Sequence, residues 1–571
     1  MVCSTSRTLE KRRRVARTPN FSGNYPVLHF ISKTGILETI TRIVISYMTP
    51  IPPFYFRCRC LLTFLLLASC FLSFSSTEAA STKLKTLYNS LDPASISQHL
   101  AFYELYSDSA EGQQALQDAY RLLSGGKPAG IKDLSLPTSL SPSISAIVGV
   151  VNKHSSETHI DLSDSELASI NHLASRLPNR NLKGHTATSE DQVLNLPSPQ
   201  IDLARGVLLS QLGNDSEALR KIKNYEAMID LMALQILARV NLNDTPQAKI
   251  RAINRFVFEE MGFRFPPHST YAKDIDLYTF LPSVLDSRRG VCLGVSILYL
   301  CLAQRLNLNL EIVTPPGHIY VRWHEGNQEI NIETTARGVN VPSEEYLGVD
   351  TRSLQQRNIK ETIGFAHFNQ ASVFWEKQQY DKALGAYLKA KPYLPDDILV
   401  KGFMAFIYLI QDNVDAAKPL LHDIVDELPD HAISKETIPE DYLKGNVSKE
   451  GVQAVFMRVN ETRESLIAKR DALQAVLQHY PKFREGYFSL ANTWLQLHRA
   501  GEALAALEQY HALDPTNASV EYYLAELYLE RLDFKKAWLH LRSAEKLTEA
   551  REHHPKALLS LRQKLAEHCP E

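Results

Sequence analysis

Cys292, His318 and Glu333 are the residues whose types and order could do chemistry. They lie in one stretch, SRRGVCLGVSILYLCLAQRLNLNLEIVTPPGHIYVRWHEGNQEINIETTARG. A thiol at the start of a helix, an imidazole on the next strand and a carboxylate on the strand after it form a set of nucleophile, base and orienting group. Brought together, they would attack an amide or peptide carbonyl. The thiolate adds, the imidazole carries the proton and the carboxylate steadies the imidazolium. An amine acceptor gives cross-linking, whereas water gives hydrolysis or deamidation. The three residues do not choose between these outcomes.

The elements that must position this set can be read from pattern. Leu293 to Leu306 reads as a helix with Val295, Leu298, Leu302 and Leu306 on a buried stripe. Cys292 then falls in the first turn, where unpaired amides and the positive end of the dipole favour a thiolate, and Arg288 and Arg289 add positive charge nearby. Cys301, nine residues on, faces nearly the opposite way and reads as core packing. Leu310 to Val313 is a short strand, and Pro315-Pro316-Gly317 turns the chain before His318. The alternation of the next segment puts His318, Tyr320 and Arg322 on one strand face. A tight turn centred between Glu325 and Gly326 would pair His318 directly with Glu333, at about 5 Å between Cβ atoms. Arg322 and Tyr320 are candidates to hold a substrate group, with an internal salt bridge as the other role for Arg322. Their register depends on the turn, because a slip of one residue would put His318 and Glu333 on opposite faces.

The chain has 571 residues, too many for one core, and a formal net charge of -2. That balance gives no overall attraction to nucleic acid or to an anionic membrane surface. Of seven cysteines, four (Cys3, Cys58, Cys60 and Cys70) fall in the first 70 residues. The spacing of the rest suggests neither a disulfide framework nor a zinc site, so no metal and no cofactor is expected. Residues 1–80 read as a targeting region. From Met48, arginines precede an apolar run from Leu61 to Phe74, as in a secretory signal. Leu67-Ala68-Ser69-Cys70 is similar to a bacterial lipobox, which would lipidate Cys70. Cleavage near Ala79 or Ala80 and an uncleaved anchor are the alternatives. Export to the cell envelope follows, with membrane contact only through this segment.

Residues 81–126 read as helical, and residues 127–199, rich in Ser, Pro, Asn and Thr, as a linker. The linker carries short helices near Ile144–Val151 and Ser163–Leu177, the second opening on a Ser163/Glu166 capping box. Between the helix ending at Gly262 and Asp286, a proline-interrupted loop should drape over the next element, with His268, Tyr271, Asp274 and Asp276 as polar candidates. From residue 360 to 550 a pattern repeats with a period of 34. Ala371, Phe374, Ala383, Tyr387, Ala390 and Pro395 recur as Ala405, Tyr408, Ala417, Leu421 and Pro429. After an irregular stretch near 430–449 the register resumes, and Ala491, Trp494, Ala503, Tyr510 and Pro515 lead into Ala525, Tyr528, Ala537 and Ala544. Small residues let paired helices approach and aromatics fill the gaps. Residues 551–571 form a helical tail.

These spacings resemble tetratricopeptide repeats. The Cys helix, GHIYVRW and INIETT resemble the transglutaminase-like superfamily, with its papain-like Cys/His/acid core. INRFVFEEMGF, the DSRRG turn and PGH are similar to its bacterial SirB-type branch. The resemblance implies an α+β transglutaminase-like domain over residues 200–350, with a helical part before it and an all-α repeat solenoid after it. It also implies Cys292 as nucleophile, His318 as base and Glu333 in place of the more usual Asp, and a protein or peptide partner on the repeat face. Many SirB-type members lack the cysteine, so a catalytically silent scaffold for protein–protein interaction is the rival reading.

Overall fold

The computed structural model describes residues 76–126, 144–153, 161–266, 275–460 and 462–570. The signal segment up to residue 75, Cys70, and the loop residues His268, Tyr271 and Asp274 lie outside the described residues. No described helix is long and apolar enough to cross a membrane.

Helices α1 (Ser76–Asn89), α2 (Ile96–Leu105) and α3 (Ala110–Leu123) open the chain. Ser95 and Ser109 cap the second and third through their side-chain oxygens. Helices α4 (Ile144–Asn152), α5 (Asp164–Ala174) and α6 (Glu190–Leu194) follow. α5 opens on Ser163 with both halves of the capping box formed. The region expected as linker is, from residue 161 on, part of the core: Ile170, Asn179 and Val193 are fully buried. Its polar composition misleads because the Asn179 side-chain amide is spent inside the fold, donating to the buried Asp202 at 2.9 Å.

Helices α7 (Leu203–Leu212), α8 (Ser216–Leu237), α9 (Pro246–Asn254), α10 (Leu281–Ser287) and α11 (Cys292–Arg305) build the centre. The stripe expected on α11 is instead burial all round: of its residues only Gln304 is not buried. Such a helix is a core element, wrapped by α7, α8, α9 and α10. Its far end is locked by charge. Arg305, completely buried, donates to Asp230 at 2.6 Å and to the Cys301 carbonyl at 3.2 Å, while Arg205 grips Glu226 with two nitrogens at 2.7 and 2.5 Å. Breaking one partner of such a buried network would strand a charge in the core, which typically costs about 3–5 kcal/mol.

Strands β1 (Glu311–Thr314), β2 (Tyr320–Glu325), β3 (Gln328–Ile332) and β4 (Gln355–Arg357) form one antiparallel sheet in the order β3-β2-β1-β4. Ile312, Val321, Trp323 and Ile332 join the main core, whereas Val313 and Tyr320 pack with Val341 and Tyr346 in a small second core.

Helices α12 (Ile359–Glu376) and α13 (Tyr380–Ala390), then α14 (Ile398–Ile410) and α15 (Val414–Ile424), are the first two helix pairs of the repeat region. Two short helices, α16 (Ile438–Leu443) and α17 (Lys449–Val455), and the longer α18 (Arg463–His479) occupy the irregular stretch and its exit. The pairs α19 (Arg484–Gln496)/α20 (Ala500–Leu513) and α21 (Ala518–Glu530)/α22 (Phe534–Glu549) precede α23 (Lys556–His568). The small residues of the repeat, Ala371, Ala383, Ala405, Ala417, Ala491, Ala503, Ala525 and Ala537, are all fully buried. α12 packs on α7, so one apolar cluster runs from Ile96 to Leu565 across the expected boundaries near residues 126, 199, 350 and 550.

Candidate functional site

Gly290-Val291 delivers the chain into α11, and Cys292 is its first residue. Val291 at the N-cap has no side-chain oxygen to offer the first amides of this helix. The turn at Ile275–Thr279 folds over that end: the Val291 amide donates to the Tyr278 carbonyl at 3.1 Å. Gly294 makes the close approach possible, since a Cβ there would stand 2.5 Å from the Tyr278 carbonyl oxygen. Arg288, expected to lend charge to the thiol, directs its guanidinium to the backbone carbonyls of Met261 and Lys153.

Gly326 takes a positive φ of 57° in the hairpin turn. The register differs from expectation. Glu325 pairs with Gln328 and Val321 with Ile332, so the turn is Gly326-Asn327 and Tyr320, rather than His318, falls level with Glu333. The slip is two residues, which preserves the face. His318 stands before β2 in a turn, its amide donating to the Pro315 carbonyl at 3.0 Å. From there its ring reaches diagonally across to Glu333, and His318 Nε2 and Glu333 Oε2 share a short hydrogen bond.

Glu333 ends β3 and opens the turn Thr334–Ala336. One carboxylate oxygen accepts from the Thr335 amide at 3.0 Å and from its hydroxyl at 2.5 Å, and the other accepts from the Tyr346 hydroxyl at 2.8 Å. Burial alone would push this carboxyl up. The His318 charge and the hydrogen bonds from His318, Thr335 and Tyr346 outweigh it and hold Glu333 down at about 2. Tyr346 also stacks on His318, with ring centroids 5.7 Å apart, and on Tyr320 at 4.8 Å. Burial and the neighbouring carboxylate push the Tyr346 hydroxyl far up, so it stays a donor. Nothing in the local sequence pattern marks Tyr346, because it arrives from a loop that has no periodicity.

α11 packs against β2 and against the turn after Glu333. Ser296 Oγ lies 3.0 Å from Thr334 Oγ1, and Ser296 is just over one helical turn, about 6 Å along the axis, past Cys292 on the same face. The thiol-bearing face of α11 is thus turned to the element that carries Glu333. All three residues are enclosed, at 3%, 4% and 0% exposure for Cys292, His318 and Glu333. Cys301 is fully buried, and burial pushes its thiol far up.

Tyr320 and Arg322 lie beneath the sheet surface. Arg322 donates to the Tyr320 hydroxyl at 2.6 Å, to Ser343 at 2.7 Å and to Asn331 at 2.9 Å, and pairs with Glu329 at 3.3 Å. Their polar atoms bind one another instead of opening to a cleft, a role for Arg322 set by the residues of the returning strand and the loop behind it.

His318 borders a cavity of about 860 Å³ between the β1–β2 turn, β4 and the first repeat helices. Its wall includes Phe365, Phe368, Phe403 and Phe406. Six carboxylates (Glu361, Asp396, Asp397, Glu427, Asp430 and Glu436) line it against two cationic side chains, Arg357 and Lys360. Arg357 is already engaged with Asp397 at 2.9 Å and Glu361 at 3.3 Å.

Residues 223–362 match the family described as the transglutaminase-like superfamily, so the chain carries a transglutaminase-like domain there. Over 99 residues, 17% of the chain, it is 29% identical to mouse (Mus musculus) F-box only protein 21, of whose length it spans 14%. Solved structures with some likeness include TTC0263, a thermophilic TPR protein of Thermus thermophilus. That match is 22% identical and covers 36% of this chain and 97% of that one, at a TM-score of 0.18. MamA from Desulfovibrio magneticus RS-1 is 14% identical, over 33% and 97% of the two chains, also at 0.18. Likenesses of that size add nothing on function, and the repeats rest on their own spacing.

Proposed function

We propose that this chain is an exported thiol enzyme of the acyl-transfer class, acting on a protein substrate that the repeat region and the cavity beside His318 present to it. Cys292 attacks the carbonyl, His318 takes and returns the proton, and Glu333 fixes the ring and stabilises the imidazolium. The backbone amide of Cys292, at the start of α11, offers a donor for the oxyanion. The observation that carries this reading is the buried His318–Glu333 pair, held from behind by Tyr346 and Thr335. A carboxylate kept ionised with no exposure is costly in a merely structural role, and it is what an imidazole that must gain a proton requires. Export rests on the segment from Met48 to Ala80, and the SirB-type likeness on the residues quoted for it.

A non-enzymatic scaffold is the second reading, favoured by the enclosure of Cys292 at 3% exposure. A thiol-reactive probe applied across pH separates the two. The enzyme reading expects selective labelling of Cys292 well below pH 8 and its loss in His318→Ala. Labelling no faster than at Cys569, which is partly exposed, would sink it.

A further inference from the structure

The last repeat helices bring together three side chains that their separation along the chain conceals. His511 stands in the last turn of α20, Glu521 in the first turn of α21 and His540 within α22. Glu521 is fully buried, and each of its oxygens meets one imidazole: Oε1 lies 2.5 Å from His511 Nδ1 and Oε2 lies 2.9 Å from His540 Nδ1. The two rings meet edge to face with centroids 5.1 Å apart, and Tyr528 stacks flat on His540 at 5.5 Å. One ligand atom from each residue can be chosen so that all lie within 4.8 Å of one another.

We propose that His511, Glu521 and His540 form a binding site for one divalent transition metal ion of the zinc class. Two imidazole nitrogens and one carboxylate are a donor set that such ions prefer, whereas magnesium and calcium prefer all-oxygen sets. An ion about 2 Å from each donor needs neighbouring ligands about 3.3 Å apart, which small side-chain adjustments reach from the present spacing. The charge balance points the same way. The ion pairs of Glu521 are these two histidines, with no lysine or arginine among them, so a bound cation would neutralise a carboxylate enclosed by the fold. Entry is open on one side, since the His511 side chain is 37% exposed. The only comparable group among the described residues, His185, Asp202 and Glu226, is different in kind. There Arg305 stands 3.9 Å from Asp202 and Arg205 grips Glu226, so the carboxylates already have cationic partners.

The ion would staple the end of α20 and the start of α21 to the middle of α22, and leave a fourth coordination position for water. Because no two ligands share a short sequence motif, spacing alone predicts no metal here.

The test is a titration of the chelator-treated full chain with zinc chloride, followed by calorimetry and thermal unfolding, with cobalt(II) as the spectroscopic stand-in. The expected result is one ion per chain, a rise in Tm on binding, and weak visible cobalt bands without thiolate charge transfer. His511→Ala, which removes a partly exposed side chain, should weaken binding at least about tenfold while leaving the helical circular dichroism intact, and Glu521→Gln should do the same. Absence of stoichiometric binding, undiminished binding in His511→Ala, or a thiolate-to-cobalt band placing the ion on a cysteine would overturn the proposal.

Discussion

At the scale of single residues, Glu333 sets the behaviour of the candidate centre. Its carboxyl is held at about 2 in the folded protein against an ordinary value near 4.5. A carboxyl depressed by folding contributes stability that is fully present above its unfolded value and fades as pH falls through the folded one. The contribution, on the order of 3 kcal/mol, should therefore be intact at pH 6 and lost between about pH 4.5 and 2. Tyr346→Phe removes one donor to the ionised oxygen. It should cost about 1.5–3 kcal/mol and move the acid unfolding limb to higher pH, read by denaturant melts at a series of pH values. An unchanged limb would mean that Tyr346 does not hold the carboxylate. Residue type and order single out Cys292, His318 and Glu333, and the folded chain brings His318 and Glu333 into contact. Tyr346 is not legible in this way, because a lone aromatic in an aperiodic loop carries no signal until the chain is folded.

At the scale of elements, the hairpin shows how a correct pairing can follow from an incorrect register. The Glu325-Gly326 centre placed His318 opposite Glu333, whereas the Gly326-Asn327 turn shifts the ladder by two and His318 leaves the strand altogether. The pair survives because a shift of two keeps both side chains on one face, and because an imidazole can span the diagonal. α11 carries a second lesson. The spacing predicts a stripe where nearly every residue is buried, since an apolar run without polar interruptions does not reveal how many neighbours will surround it. The repeat helices were legible because their small residues recur at fixed offsets, and the backbone repeats with them. Gln378, Asp412, His498 and Leu532 all take positive φ, at 55°, 59°, 59° and 62°, each just after the first helix of a pair. Leu532 is the odd member, an apolar side chain left 69% exposed in a left-handed turn. Leu532→Gly should relieve that conformation and stabilise the chain by about 0.5–1 kcal/mol, seen as a higher midpoint in urea at unchanged slope. A lower midpoint would show that the leucine packs against something it needs.

At the scale of the whole molecule, the repeats return to the domain that precedes them. Residues 350–352 pair with 431–433 through the Arg352 amide to the His431 carbonyl at 2.9 Å and the Ile433 amide to the Asp350 carbonyl at 3.2 Å. Arg551, beyond α22, donates to the Pro429 carbonyl at 3.1 Å, and His553 Nε2 lies 2.8 Å from the Gly348 carbonyl. The irregular stretch that interrupts the 34-residue period is thus a fastening, and the cavity beside His318 lies between the parts it joins. With six carboxylates against two cations on its lining and aromatic rings in its wall, that cavity, if it presents substrate as proposed above, would favour an extended peptide carrying lysine or arginine. A fluorescent basic peptide should bind the full chain with an affinity that falls as salt rises, and an acidic peptide of equal length should not. Asp396, Glu427 and Asp430 are exposed on the lining, so reversing all three to lysine should leave the fold intact. Each exposed charge contributes less than about 1 kcal/mol, yet three reversals acting together should weaken the basic peptide by about tenfold or more. Anisotropy titrations of both peptides against both proteins decide it. Equal binding of the basic peptide before and after reversal would remove charge as the basis of recognition and leave the aromatic wall alone to explain any affinity.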